Sequence, residues 1–140
     1  MKAKEIAELL NGREYGREMT KMEEQLCKDF GFVVVFGASD DLIEMRGAID
    51  DEAGCFEGGE LAFTKKGFQW KEDGRDDKGY EYGHWVGENK IEAIWCGDNT
   101  IDGEVICWSY KTDIPHEEFM IYEDDEPYCK GIIFSIDDVI

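Results

Sequence analysis

The chain has 140 residues and carries 34 Asp plus Glu against 15 Lys plus Arg, a formal net charge of −19. At 42% hydrophobic and 13% aromatic residues it is too apolar for a disordered acidic tail. It has no apolar run near the roughly 18 residues of a membrane span, and a field of this sign repels nucleic acid while attracting basic surfaces.

From the N-terminus, Ala3–Leu10 alternates Lys and Glu with apolar residues, which predicts an amphipathic helix rather than an export signal, with Ile6, Leu9 and Leu10 on one side. Asn11-Gly12 is a good stop. A second helix is expected from about Glu14 to Phe30, where Tyr15, Met19, Met22, Leu26 and Phe30 recur at helical spacing. Thr20-x-x-Glu23 offers a later start as a capping box, and Gly31 ends the helix.

From Phe32 the pattern becomes that of strands. Phe32–Phe36 reads as a strand buried on both faces, Gly37–Asp41 as a turn and Leu42–Ile49 as the return. Glu60–Thr64 and Phe68–Trp70 predict a hairpin through Lys65-Lys66-Gly67, and the charged Glu72–Gly79 predicts an exposed loop. Further strands are expected at Ile91–Cys96, Glu104–Tyr110, Glu118–Glu123 and Tyr128–Ile136. The expectation is therefore one α+β domain over residues 1–140, with two N-terminal helices (1–31) packed on a mostly antiparallel sheet of about seven strands (32–140).

No pattern of catalytic or ligand-binding chemistry stands out. Asp98–Gly103 loosely follows the start of a calcium loop, but its twelfth position is Ser109 instead of the closing Glu, so a polar hairpin loop is expected. Cys27, Cys55, Cys96, Cys107 and Cys129 are odd in number and lack metal-clip spacing, which predicts reduced thiols in a cytoplasmic protein with no metal and no cofactor. His84 and His116 have no local signature of a Cys–His nucleophile. Glycine-rich phosphate loops are absent. Neighbouring acids such as Asp40-Asp41, Asp50-Asp51 and Asp76-Asp77 point to opposite faces when extended and do not converge on one bond. The basic cluster Lys65, Lys66, Lys71, Arg75 and Lys78 is balanced by Glu72, Asp73, Asp76 and Asp77.

The distribution of charge is more telling. Residues 1–31 hold 7 acids and 6 bases, so nearly all the excess lies beyond them: −7 over 40–60, 0 over 61–90, −3 over 91–111 and −8 over 112–140. The last block gathers Asp113, Glu117, Glu118, Glu123, Asp124, Asp125 and Glu126, the candidate partner-binding residues. Extended backbone puts alternate side chains about 6.6 Å apart, so staggered strands and turns can approach the charge density of a DNA backbone. Phe119, Tyr122 and Tyr128 are the aromatics expected to add contact energy. A different class of function, binding of a small ligand or nucleotide, would draw an aromatic pocket from Trp70, Tyr80, Tyr82, Trp85, Trp95 and Trp108.

Three stretches, KAKEIAELLNGREY (2–15), VVVFGASDDLIEMRGAIDDE (33–52) and TDIPHEEFMIYEDDEPYCKGIIF (112–134), resemble a family of small hypothetical proteins of phages and prophages of gut-dwelling Firmicutes. The resemblance implies a phage accessory protein acting in the cytoplasm of a bacterial host, and it assigns no catalytic residue. Together with the charge it leads to a non-enzymatic protein that binds a basic host protein. A nuclease or DNA-binding protein is the expected partner, inhibited in the manner of an anti-CRISPR or DNA mimic, with neither nucleic acid nor membrane as a partner.

Overall fold

The computed structural model describes residues 1–17, 19–39, 42–49, 51–53, 60–64, 67–95, 100–101, 104–105 and 108–139. In chain order the elements are α1 (Ala3–Leu10), β1 (Arg13–Glu14), α2 (Lys21–Phe30), β2 (Phe32–Ser39), β3 (Leu42–Gly47), β4 (Asp51–Ala53), β5 (Glu60–Thr64), β6 (Gly67–Phe68) and β7 (Trp70–Arg75). There follow β8 (Glu81–Trp85), β9 (Asn89–Trp95), β10 (Thr100–Ile101), β11 (Glu104–Val105), β12 (Trp108–Thr112), β13 (Glu117–Glu123), β14 (Glu126–Ser135) and a closing 3-10 turn, Ile136–Asp138. The fold is α+β. Among the described residues every strand pairing is antiparallel except that of β1 with β13.

Among the described residues the strands are more numerous than the seven expected, and they fall into four sheets. A six-stranded sheet runs β1-β13-β14-β2-β3-β4 and a four-stranded one β12-β9-β5-β6, with β7-β8 and β10-β11 as separate pairs. Val33, Val34 and Val35 are consecutive and all buried, as are Ile132, Ile133 and Phe134, so the centre of the large sheet is covered on both faces. The cover comes from α1 on β13 and β14, from α2 on β2 and β3, and from the smaller sheet, whose Phe63 stacks on Phe134 at 5.5 Å.

The first helix keeps its predicted bounds but turns differently. Ile6, Ala7 and Leu10 are buried, whereas Leu9, expected on the inner side, is 58% exposed. The second helix is shorter than its apolar spacing suggested. Gly16 has φ +79, and Arg13 and Glu14 are drawn into a parallel pairing with Ile121 and Tyr122, so helix cannot form there. It starts instead at the capping box: Thr20 Oγ1 accepts from Glu23 N at 3.1 Å, and Glu23 Oε1 accepts from Thr20 N at 2.8 Å. Met22 and Phe30, expected on the inner stripe, are 75% and 47% exposed, and the buried side chain of the helix is Cys27. Tyr15 and Met19 still pack against the core, but from the connection before the helix. The predicted loop at Glu72–Gly79 is also corrected, since Glu72–Arg75 pairs with β8 and only Asp76–Tyr80 makes the turn. There the Asp76 carboxylate accepts from the backbone N–H of Lys78 and of Tyr80, both at 2.9 Å, a local bond set that stabilises the turn.

Candidate interaction surface

Strands β13 and β14 form one long hairpin, and it carries all the candidate acids but Asp113. The pairing of Glu123 with Glu126 leaves Asp124 and Asp125 as a two-residue loop, at φ 50° and 64°. Positive φ at both central residues is the hairpin turn whose twist matches the strands, and Asp is among the few residues with a Cβ that tolerate it. These two acids therefore have a conformational role as well as a charge.

The seven candidates do not form one row. Glu117 and Glu118 begin β13, Glu123 ends it, and six strand steps separate the two ends by about 20 Å. Asp113 lies in the connection before β13, at the Glu117 end. At that end the charge is partly answered, for Glu118 meets Lys130 Nζ at 3.4 Å and His116 Nε2 at 3.9 Å. At the turn end Glu123, Asp124, Asp125 and Glu126 are all exposed, with no ion-pair partner among the described residues.

The turn end gains a fifth acid that the charge blocks did not reveal. Asn11 Oδ1 accepts from Met120 N and Gly12 N donates to Met120 O, both at 2.9 Å, which lays β1 along the outer edge of β13. Tyr15 N then donates to Tyr122 O at 2.7 Å, and Glu14 Oε1 accepts from Asp124 N at 3.2 Å. Glu14 thus joins the turn from the other end of the sequence. The one signal for it was the Asn11-Gly12 turn, which predicted a stop but not its destination.

The aromatics expected beside these acids are largely internal. Phe119 is 3% exposed and lies over Gly131, its cross-strand partner; Tyr128 packs on Tyr15 with ring centroids 4.6 Å apart; Tyr122 is half-buried. Of the alternative aromatic pocket, Trp70 and Trp85 meet edge to face at 5.0 Å, and Trp70 Nε1 donates to Glu81 Oε1 at 2.6 Å. Tyr82 stands exposed on β8 and Tyr80 stands exposed in the turn before it, and Trp95 is the register partner of Trp108 between β9 and β12. The cavities beside α1, the start of α2 and the β13–β14 hairpin are lined by residues other than Trp70, Tyr80, Tyr82 and Trp85.

Both histidines have local partners. His84 Nδ1 pairs with Asp73 Oδ2 and His116 Nδ1 meets the Ile114 carbonyl, both at 2.7 Å. Cys27 and Cys129 are buried and form no disulfide, and burial beside Glu23 and Glu24 pushes Cys27 up to about 11. Cys55, Cys96 and Cys107, Lys65 and Lys66, Asp40, Asp41 and Asp50, and most of the Asp98–Gly103 run lie outside the described residues. Among the described residues no three His, Cys, Asp or Glu side chains gather as a metal-ligand set, and no helix is long and apolar enough to cross a membrane. No protein-family model, curated protein or solved structure matches the chain.

Proposed function

We propose that the protein is a non-enzymatic binding module whose acidic hairpin turn docks on a basic protein surface. The observation that carries the reading is the gathering of Glu14, Glu123, Asp124, Asp125 and Glu126 at one end of the large sheet, exposed and, apart from the Glu14–Asp124 backbone bond, unanswered among the described residues. Their mutual repulsion costs stability in a chain already at −19, and a cationic partner would relieve it. A nucleic-acid-binding host enzyme is the partner class that suits it, because a surface built for closely spaced phosphates accepts closely spaced carboxylates. The resemblance to phage proteins supports a bacterial cell as the setting. Asp113, Glu117 and Glu118 are secondary to this surface, being about 20 Å away at the far end of β13.

The test is capture from bacterial lysate at low (~50 mM) and high (~500 mM) salt, with wild-type protein and with E123Q/D124N/D125N/E126Q as bait. Asn keeps the positive-φ turn, so that variant removes charge without refolding the loop. The reading expects a basic partner that is held at low salt and lost both at high salt and to the neutralised bait. A partner held equally by both baits would refute it.

A further inference from the structure

We propose that the cleft between the end of α1, β1 and the start of α2 is a binding site for a small oxoanion, phosphoryl or carboxylate, held by Arg13 and Arg17. The cavity has a volume of about 260 Å³ and is lined by Leu9, Asn11, Gly12, Arg13, Arg17, Thr20 and Glu23. That size suits a small ligand or the anionic end of a larger one.

The argument starts from an imbalance of donors. Arg13 Nη2 donates to the Arg17 carbonyl at 2.6 Å, whereas Nε and Nη1 are covered, with no acceptor among the described residues, so a guest in the cavity reaches them only by turning the guanidinium outward. The side chain is held by packing, its guanidinium carbon 5.5 Å from the centre of the Phe36 ring. Burial holds Arg13 below its ordinary value, opposed by Glu23, reinforced by the neighbouring charge of Arg17 and opposed again by Glu44. Buried donors are almost always satisfied in folded proteins, and a charged fork missing two acceptors calls for an explanation such as a bound ion. Glu44, the buried acid of the neighbouring strand, is engaged by Arg46.

Two further residues line the same cavity. Arg17 is exposed and has no ion-pair partner among the described residues, so its side chain is the one able to close over a guest. The Thr20 hydroxyl accepts from Glu23 N, which leaves its own proton to donate. The opposing group is the Glu23 carboxylate, and one of its oxygens is committed to Thr20 N at 2.8 Å. Two guanidinium groups against one carboxylate leave the lining cationic in an otherwise anionic molecule. The overall field opposes an anion, but it is screened beyond about 8 Å at physiological salt, whereas the arginines act in contact. The guanidinium fork matches either a phosphoryl group or a carboxylate in bidentate fashion. This site shares no residue with the acidic turn and does not depend on its role.

The test is titration of the 15N-labelled full chain with sodium phosphate and, separately, sodium malonate, against sodium chloride at matched ionic strength. The readout is the Nε–Hε resonance of each arginine. Saturable movement of the Arg13 and Arg17 signals by either oxoanion, and not by chloride, is expected. Which of the two acts tells a phosphoryl ligand from a carboxylate. Arg17→Gln, at an exposed position, should leave the fold intact and weaken binding roughly tenfold, the loss of one charge-assisted contact. If neither oxoanion moves Arg13 beyond the chloride control, or if Arg17→Gln binds as well as wild type, the site is refuted.

Discussion

Gly131 is where the hairpin that carries the acidic turn is most sensitive to a single atom. A Cβ built there would meet the Phe119 ring at Cζ and lie 2.6 Å from Cε1 and 2.7 Å from Cε2, against the 3.5–4.0 Å or so of a favourable carbon contact. The ring is buried between the hairpin and the core, so Gly131→Ala must displace it by about 1 Å or more. Overpacking of this kind costs about 1–3 kcal/mol, and partial exposure of a Phe side chain adds a share of its burial energy, about 1.5–3 kcal/mol when complete. The expected loss is about 2–4 kcal/mol. Gly131 is not among the positive-φ glycines, so on backbone grounds alone Ala would be favourable by about 0.4–1 kcal/mol. The sign therefore separates the two effects. Urea unfolding followed by Trp fluorescence should show a lowered midpoint for Gly131→Ala. In a Phe119→Leu background, where the smaller side chain can yield, the same substitution should cost at least 1 kcal/mol less. A Gly131→Ala protein as stable as wild type, or a cost unchanged by Phe119→Leu, would refute the account of this contact.

At the turn itself, D124N/D125G should stabilise the fold by about 0.5–1 kcal/mol and so raise the urea midpoint, since Asn-Gly takes the observed φ values more cheaply and two like charges are lost; a lower midpoint would contradict the turn assignment. Thr20→Ala removes the acceptor for Glu23 N and should cost about 1 kcal/mol in the same assay, whereas a helix beginning near Glu14 would leave it neutral. With Cys27 pushed up to about 11 from 9.0, the unfolded chain releases this proton first, so stability is fully present below pH 9 and lost as pH rises toward 11. Cys27 contributes up to about 1.4 kcal/mol per pH unit in that window, and Cys27→Ala should flatten the limb by that share without abolishing it, because burial also raises Tyr110. An alkaline limb unchanged in Cys27→Ala would refute the assignment.

Local signals in the sequence account for much of the fold and little of the surface. Helix ends were readable where a capping residue acts on its own neighbours, as with Gly31 at φ 72 and the Thr20–Glu23 box. The run Val33–Val35 announced a strand covered on both sides because β-branched residues without polar alternation have no face to give to water. The spacing of Tyr15, Met19 and Met22 misled, because the core draws in Tyr15 and Met19 from a non-helical connection and leaves Met22 outside. The parallel pairing of Arg13 and Glu14 with Ile121 and Tyr122 joins positions more than a hundred residues apart, and no local pattern encodes it. That pairing places Glu14 at the acidic turn and turns Arg13 into the adjoining cleft, so both candidate sites depend on the least legible contact in the chain. The acids between residues 113 and 126 are close in sequence yet fall at the two ends of the hairpin, because the seven-residue strand Glu117–Glu123 sets them apart.

The central claim is that charge at the hairpin turn does the binding. Its most direct measurement is calorimetric titration of a lysine-rich peptide into E123Q/D124N/D125N/E126Q and into D113N/E117Q/E118Q, beside wild type and at two salt concentrations. Neutralising the turn end should weaken binding roughly tenfold or more and reduce its salt dependence, while neutralising the far end should change affinity by no more than about threefold. Equal losses for the two variants would show a diffuse acidic coat and contradict the assignment of the turn as the docking surface.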